Sequence, residues 1–291
     1  MVNFVSIPII KTHQELRDFR RNLLPSETLA LVPTMGSLHQ GHLSLVREAR
    51  KYSSKVLVSI FVNPAQFGPD EDFDRYPRDL KRDQNLLASE QVDGIFIPDT
   101  KTLYPGDFQT WVYNSKMAKG LCSNTRPHFF QGVCTVVLKL FNQVQPDVAV
   151  FGRKDLQQLR IIEQMVRDLQ MNVRIVGAPI VREPDGLAMS SRNAYLKQEQ
   201  RQKALGFPQS LLHARDLFRK GCRDPDELTQ AAKNYCEKGG DLRVDYIELR
   251  DEKTLEPVRE AGQQGTVLIA AAQLGSVRLI DNLSLNYAED L

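Results

Sequence analysis

Short apolar runs recur through residues 28–181, separated by polar stretches with helical spacing. TLALVPT is followed by HLSLVREARKY. VLVSIFV comes next, and VDGIFIP follows the polar segment RDLKRDQNLLASEQ. TVVLKLFNQV has the 3.6-residue period of a helix, DVAVFG is a short apolar run, and DLQQLRIIEQMVRDLQ predicts a long amphipathic helix with a carboxylate at its start. VRIVGAPIV closes the series as a β-branched run. Runs that lack strict alternation suit strands covered on both faces of a parallel sheet. Their alternation with helical segments predicts an α/β domain with a doubly wound parallel sheet. MVNFVSIPIIKTH has no basic leader and no small-residue cleavage site, so it reads as a first strand and not as a signal peptide.

After about residue 182 the grouping changes. Two helical stretches, EQRQKALGFPQSLLHARDLFRK and PDELTQAAKNYCEKG, precede three strand candidates, VDYIELR, GTVLIAAAQ and VRLIDNL. Helices and strands that are grouped, not alternating, predict a smaller α+β domain. The expected organisation is therefore 1–181 and 182–291.

Composition narrows the functional classes. With 291 residues, 42% hydrophobic and 25% charged, the chain has room for a sizeable core and none of the signature of disorder. The net charge of +2 supplies no global field for nucleic acid or an anionic membrane. No run approaches the roughly 18 apolar residues of a spanning helix. Cys122, Cys134, Cys222 and Cys236 have no C-x-x-C spacing and no neighbouring His. They are expected to be reduced thiols in a cytoplasmic protein.

Ligands of open α/β sheets bind beyond the carboxyl ends of the strands. Four such places are rich in chemistry. Pro33 to His42 follows TLALV and runs into a helix. Gly36 and Gly41 permit close backbone approach, the amides of the helix start favour phosphate, and His39 and His42, three apart, can face one ligand. Asn63 to Gly68 follows VLVSIFV, with Asn63 and Gln66 supplying donors and acceptors for a small hydroxy acid. Gly152 to Gln158 follows DVAV, where Lys154 can neutralise phosphate and Asp155 can cap a helix or hold a ribose. Arg182 to Asn193 sets Ser190, Ser191 and Arg192 after a Gly-Leu-Ala stretch read as flexible, a loop suited to closing on a triphosphate. Plain turns and caps are the alternative reading of each segment, and one shared cleft is the economical explanation of all four. Asp70, Glu71, Asp72 and Asp74 read as a solvated acidic loop.

HQGH at residues 39–42 and MSSR at residues 189–192 resemble the paired HIGH and KMSKS signatures of the nucleotidyltransferase superfamily. The fuller strings PTMGSLHQGH, FVNPAQFG, YPRDL, GVCTVVLKLFN, FGRKDLQQL and DGLAMSSRN resemble the pantothenate synthetase (pantoate–β-alanine ligase) family in order and spacing. The resemblance implies a Rossmann-like domain followed by a smaller lid domain, usually in a homodimer. It also implies two-step chemistry. Pantoate carboxylate attacks the α-phosphate of ATP, and the β-alanine amine then displaces AMP from the pantoyl adenylate. Mg²⁺ accompanies ATP, with no protein ligand assigned to it.

The same resemblance assigns residues. ATP is expected against Met35, Gly36, Ser37, Leu38, His39, Gln40, Gly41 and His42, against Gly152, Arg153, Lys154 and Asp155, at the Val181 backbone, and at Met189, Ser190, Ser191 and Arg192. Gln66 and Gln158 match the glutamines that hold pantoate, with Asn63 beside them. His39, His42, Lys154 and Arg192 are the expected catalytic groups, because negative charge develops on the transferring phosphoryl and on the departing pyrophosphate. Two departures stand out. Arg153 occupies a position where the family commonly has an acidic residue. His128 comes one place earlier than in the usual R-P-x-H-F order, and no catalytic role is given to it. A different nucleotidyltransferase and an RNA-binding module are the competing readings. The glutamine pair speaks against the first, and the balanced charge with a single Trp111 speaks against the second.

Overall fold

The computed structural model describes residues 7–69, 71–262 and 265–286. The chain forms two compact units. Among the described residues, the first holds those up to 118 together with 126–152 and 161–178, and the second holds 119–125, 153–160 and those from 179 to 286. The sequence reading drew one boundary, after residue 181. The contacts instead give two short internal segments to the second unit and set its main start at Pro179.

In chain order the first unit comprises β1 (Ile9–Ile10), α1 (His13–Arg21), β2 (Leu29–Thr34), α2 (Gln40–Ala49), β3 (Lys55–Ile60), α3 (Leu80–Ser89), β4 (Gly94–Phe96), α4 (Thr100–Leu103), α5 (Phe129–Val144), β5 (Val148–Gly152) and β6 (Arg174–Ala178). The sheet is parallel with strand order β1-β4-β3-β2-β5-β6. Ala30, Leu31 and Val32 are fully buried, as are Val56, Leu57 and Val58 of β3, because helices cover both faces. The order reverses between β2 and β5, so β2 and β5 diverge at a topological switch point, where open α/β sheets place their ligands. Of the segment expected to be a first strand, only Ile9–Ile10 pairs, and residues 1–6 lie outside those described.

Helix α6 (Leu156–Asp168) begins in the second unit, which continues with α7 (Gln198–Ala204), α8 (Gly206–Arg219), α9 (Pro225–Glu237), β7 (Leu242–Asp251), β8 (Thr266–Leu274) and β9 (Val277–Ser284). Its three strands are antiparallel in the order β7-β8-β9. A bulge between Val244 and Tyr246 shifts the register of β7. Phe207 and Leu211 of α8, Leu228 and Ala232 of α9, and Leu268, Ala270 and Ala272 of β8 share one core. No helix among the described residues is long and apolar enough to cross a membrane.

Candidate active site

In the first unit the chain leaves β2 at Thr34 and turns before entering α2. Gly36 and Ser37 both adopt left-handed backbone, φ 79° and 52°, which glycine tolerates and serine resists. The turn is held from α3. Asp83, 1% exposed, accepts the Ser37 N–H through Oδ2 at 2.8 Å and the Leu38 N–H through Oδ1 at 2.7 Å. Arg82 donates to the Leu38 carbonyl at 3.1 Å. The sequence reading offered phosphate the amides of the helix start, which come after this turn. The Ser37 and Leu38 amides that precede it are taken by the Asp83 carboxylate. Burial pushes that carboxyl above the ordinary aspartate range, against the pull of the two amides.

His39 and His42 cap the start of α2 reciprocally. Gly41 N–H donates to His39 Nδ1 at 3.1 Å, and His39 N–H donates to His42 Nδ1 at 3.3 Å. Their rings lie 4.1 Å apart between centroids. Because each Nδ1 is an acceptor, each neutral ring carries its proton on Nε2. The capping expected of one histidine in the alternative reading is thus shared by both.

The second place in this unit is a 3-10 turn at Pro64–Gln66. Asn63, 1% exposed, donates through Nδ2 to Gln66 Oε1 at 2.8 Å and to the Gly132 carbonyl of α5 at 3.1 Å. The helix approaches so closely that a Cβ on Gly132 would stand 2.1 Å from the Ala65 carbonyl oxygen. Arg126 grips the same turn. It donates to the Gln66 carbonyl at 2.9 Å, pairs with Glu71 at 2.6 and 2.5 Å, and lies 3.9 Å from the Phe129 ring centroid. Glu71 is therefore not part of a solvated acidic loop, as the charge run alone had implied, while Asp70 lies outside the described residues. His128 precedes α5 and gives it no side-chain cap.

The second unit brings together Lys154 and the 189–192 segment. Lys154 Nζ donates to the Met189 carbonyl at 2.7 Å. Burial lowers the Lys154 pKa, Arg192 and Arg182 lower it further, and Asp155 and Asp281 oppose them. The lysine backbone is clamped from β9, where Asn282 Nδ2 donates to the carbonyls of Arg153 at 2.8 Å and Lys154 at 3.0 Å. Its neighbour Asp281, 2% exposed, takes both terminal nitrogens of Arg182 at 2.7 and 3.1 Å. Arg153 pairs with Glu252 at 2.5 Å, and Arg160 shares that carboxylate at 2.7 Å, so the extra cation of this chain has an internal counter-ion.

Residues 181–189 form a hydrogen-bonded hairpin, with Met189 N–H on the Val181 carbonyl at 2.9 Å and an antiparallel bridge between Arg182 and Ala188. Leu187 and Ala188 are buried at 2% and 4%, which corrects the reading of Gly-Leu-Ala as a loose stretch. Only Gly186, at φ 92°, sits where the turn requires left-handed backbone. Ser190 Oγ accepts the Arg192 N–H at 3.3 Å, an ST-turn that starts the 3-10 turn Ser191–Tyr195. Arg201 ties Glu183 and Asp185 at 2.7 Å each, beneath Asn193, which donates to Glu183 at 2.6 Å. Of the two adjacent glutamines, Gln157 is buried and spent on the backbone of Cys122 and Gly120, while Gln158 is partly exposed.

The described residues include no cluster of three His, Cys, Asp or Glu side chains able to hold a metal. Asp83, Arg126, Asn282 and Arg201 were not singled out from sequence as functional residues. YPRDL, already noted, lies just before Asp83, but nothing local in either string marks a long-range carboxylate-to-amide contact.

The model of the family described as Pantoate-beta-alanine ligase matches residues 8–284. The chain belongs to the pantoate–β-alanine ligase family. It is 50% identical over 278 residues to the pantothenate synthetase of Thermotoga petrophila, covering 95% of this chain and 99% of that protein. The crystal structure of the pantothenate synthetase of Thermus thermophilus superposes with a TM-score of 0.91 at 43% identity, covering 97% of this chain and all of that one. The Francisella tularensis pantoate–β-alanine ligase, solved with β,γ-ATP and β-alanine, matches at TM-score 0.79 and 32% identity over 96% and 98% of the two chains. A Rossmann-like parallel domain and a small antiparallel domain are thus the architecture of pantoate–β-alanine ligases, as the sequence motifs implied.

Proposed function

We propose that this chain joins pantoate and β-alanine to form pantothenate at the expense of ATP, through a pantoyl adenylate. The observation that carries the reading is the 2.7 Å bond from Lys154 to the Met189 carbonyl, which unites the FGRKDLQQL and DGLAMSSRN strings around one half-buried cation. In the first step a pantoate carboxylate oxygen attacks the α-phosphorus and the bond to pyrophosphate breaks. In the second the β-alanine amine attacks the acyl carbon, loses a proton, and AMP leaves. The substrate carboxylate is the nucleophile, so the protein needs none of its own.

What the chain supplies is charge and orientation. Lys154 and Arg192 offset the negative charge that develops on the phosphates, and His39 and His42 donate through Nε2. Gln66, with its side-chain oxygen already engaged by Asn63, presents its amide nitrogen to a pantoate oxygen, and the partly exposed Gln158 is the partner assigned to the same substrate. Met35 to Gln40, Gly152 to Asp155, Val181 and the serines 190 and 191 are read as nucleotide contacts. Magnesium would offset phosphate charge when bound with ATP, and this reading assigns it no protein ligand.

Trp111 and Tyr113, exposed at 45% and 58%, support assembly into a homodimer through that face. Cysteines that are unpaired throughout support a cytoplasmic setting. The deciding experiment is isotope exchange. Pyrophosphate exchange into ATP should require pantoate, and AMP release should additionally require β-alanine. Exchange without pantoate, or AMP release with no need for the amine, overturns the reading.

A further inference from the structure

The turn that delivers His39 and His42 is held by a carboxylate that none of the chemistry above uses. Asp83 is 1% exposed, lies 46 residues away from Ser37 in the chain, and satisfies two consecutive amides with its two oxygens. Ser37 is a non-glycine residue in left-handed backbone, a strained conformation that persists only when its surroundings impose it. The fit is close. A Cβ on Gly36 would stand 3.1 Å from Asp83 Oδ2 and 3.1 Å from Ile60 Cγ2, so the carboxylate and the glycine turn occupy complementary space. Arg82, the preceding residue of α3, takes the Leu38 carbonyl at 3.1 Å, and the turn is thereby gripped on both its donors and its acceptor.

We propose that Asp83 is a positioning residue for adenylation. Its carboxylate presets the Gly36–Leu38 turn in the left-handed conformation, so that His39 and His42 stand ready before nucleotide arrives. Two consequences follow. The Ser37 and Leu38 amides are not phosphate ligands, since the protein's own carboxylate already occupies them. Loss of Asp83 should also act on the step that uses the histidines and not on the aminolysis that follows. This second consequence rests on the ligase reading above, whereas the first does not.

The test compares Asp83→Asn, which keeps the shape but offers an amide nitrogen to one of the two N–H groups, with the intact enzyme. Pantoate-dependent pyrophosphate exchange should fall at least tenfold in kcat, while reaction of supplied pantoyl adenylate with β-alanine stays within twofold. Adding Ser37→Gly, which adopts the left-handed turn at low cost, should recover part of the lost exchange. Unchanged exchange in a folded Asp83→Asn enzyme, or an equal loss in both half-reactions, overturns the proposal.

Should the variant fail to fold, hydrogen exchange on the unaltered protein decides. The Ser37 and Leu38 amides are expected to be protected without nucleotide and to gain nothing from ATP. Protection that appears only with ATP refutes the assignment. That measurement needs no turnover, so a failed ligase reading, seen as no pantoate-dependent exchange in the intact enzyme, is distinguishable from a failed role for Asp83.

Discussion

Lys154 donates its ammonium to the main-chain oxygen of Met189 at 2.7 Å, joining the turn after β5 to the hairpin that ends in Ser190, Ser191 and Arg192. Replacing the lysine with Gln should lower pantoate-dependent pyrophosphate exchange by about 10²-fold or more, the scale of losing one transition-state electrostatic contact. The pH profile gives a second check. Burial lowers the Lys154 pKa from the usual 10.5, so the cation that the proposed reaction calls for is lost as pH rises through that depressed value. The exchange rate should therefore show an alkaline limb starting below the ordinary lysine range, and Lys154→Arg, which cannot deprotonate, should lack it.

Asn282 acts on the same lysine from beneath, through the carbonyls of residues 153 and 154. Asn282→Asp keeps the size of the side chain and removes the donor. Exchange is expected to fall by about tenfold to a hundredfold through misplacement of Lys154, with thermal stability reduced by about 1–3 kcal/mol for the carbonyls left unpaired. An Asn282→Asp enzyme with normal exchange would show that the clamp is not needed.

His42 accepts the His39 N–H through Nδ1, and the proposed reaction gives it a phosphate contact as well. His42→Ala should lower turnover by about 10²-fold or more. In His42→Asn the side chain can still accept the His39 N–H that Nδ1 accepts at 3.3 Å. That variant should melt close to the unaltered protein while remaining as slow as His42→Ala. Recovery of turnover in His42→Asn would reduce the histidine to a cap.

Gly132 lets α5 lie against the Pro64–Gln66 turn, where a Cβ would meet the Ala65 carbonyl oxygen at 2.1 Å. Gly132→Ala must push the turn and its Asn63–Gln66 bond aside. We expect destabilisation of about 1–3 kcal/mol in chemical denaturation, and a raised KM for pantoate with that for ATP little changed. A KM for pantoate that does not move would detach Gln66 from that substrate.

Burial raises the Asp83 pKa above its value of 3.8 in the unfolded chain. The folded protein therefore binds this proton more readily than the unfolded one, and stability falls as pH rises between the two values. Relative to Asp83→Asn, which cannot titrate, the unaltered protein should gain Tm as pH is lowered toward 4. A Tm difference that stays flat with pH contradicts the shift.

Much of the first unit was legible because local pattern and tertiary role coincide. TLALVPT, VLVSIFV and DVAVFG became β2, β3 and β5, since strands buried on both faces must be apolar throughout. Grouped helices and strands after residue 182 likewise became α7 to α9 and β7 to β9. The four chemical segments were visible because each follows an apolar run. Less was legible where a residue works by reaching across the fold. The Gly-Leu-Ala stretch looks like a loose hinge by composition, yet Leu187 and Ala188 are buried within a closed hairpin.

By itself, then, the sequence determined the parallel sheet, the antiparallel second unit and the turns that follow the strands, because hydrophobic period and glycine position are local properties that the backbone must obey. Tertiary structure alone decided which polar groups those turns have left to offer. Asp83 takes the Ser37 and Leu38 amides, Glu252 takes Arg153, the Cys122 and Gly120 backbone takes Gln157, and Arg126 takes Glu71. A buried donor or acceptor must find a partner, and that partner can lie anywhere in the chain that folding brings within about 3 Å.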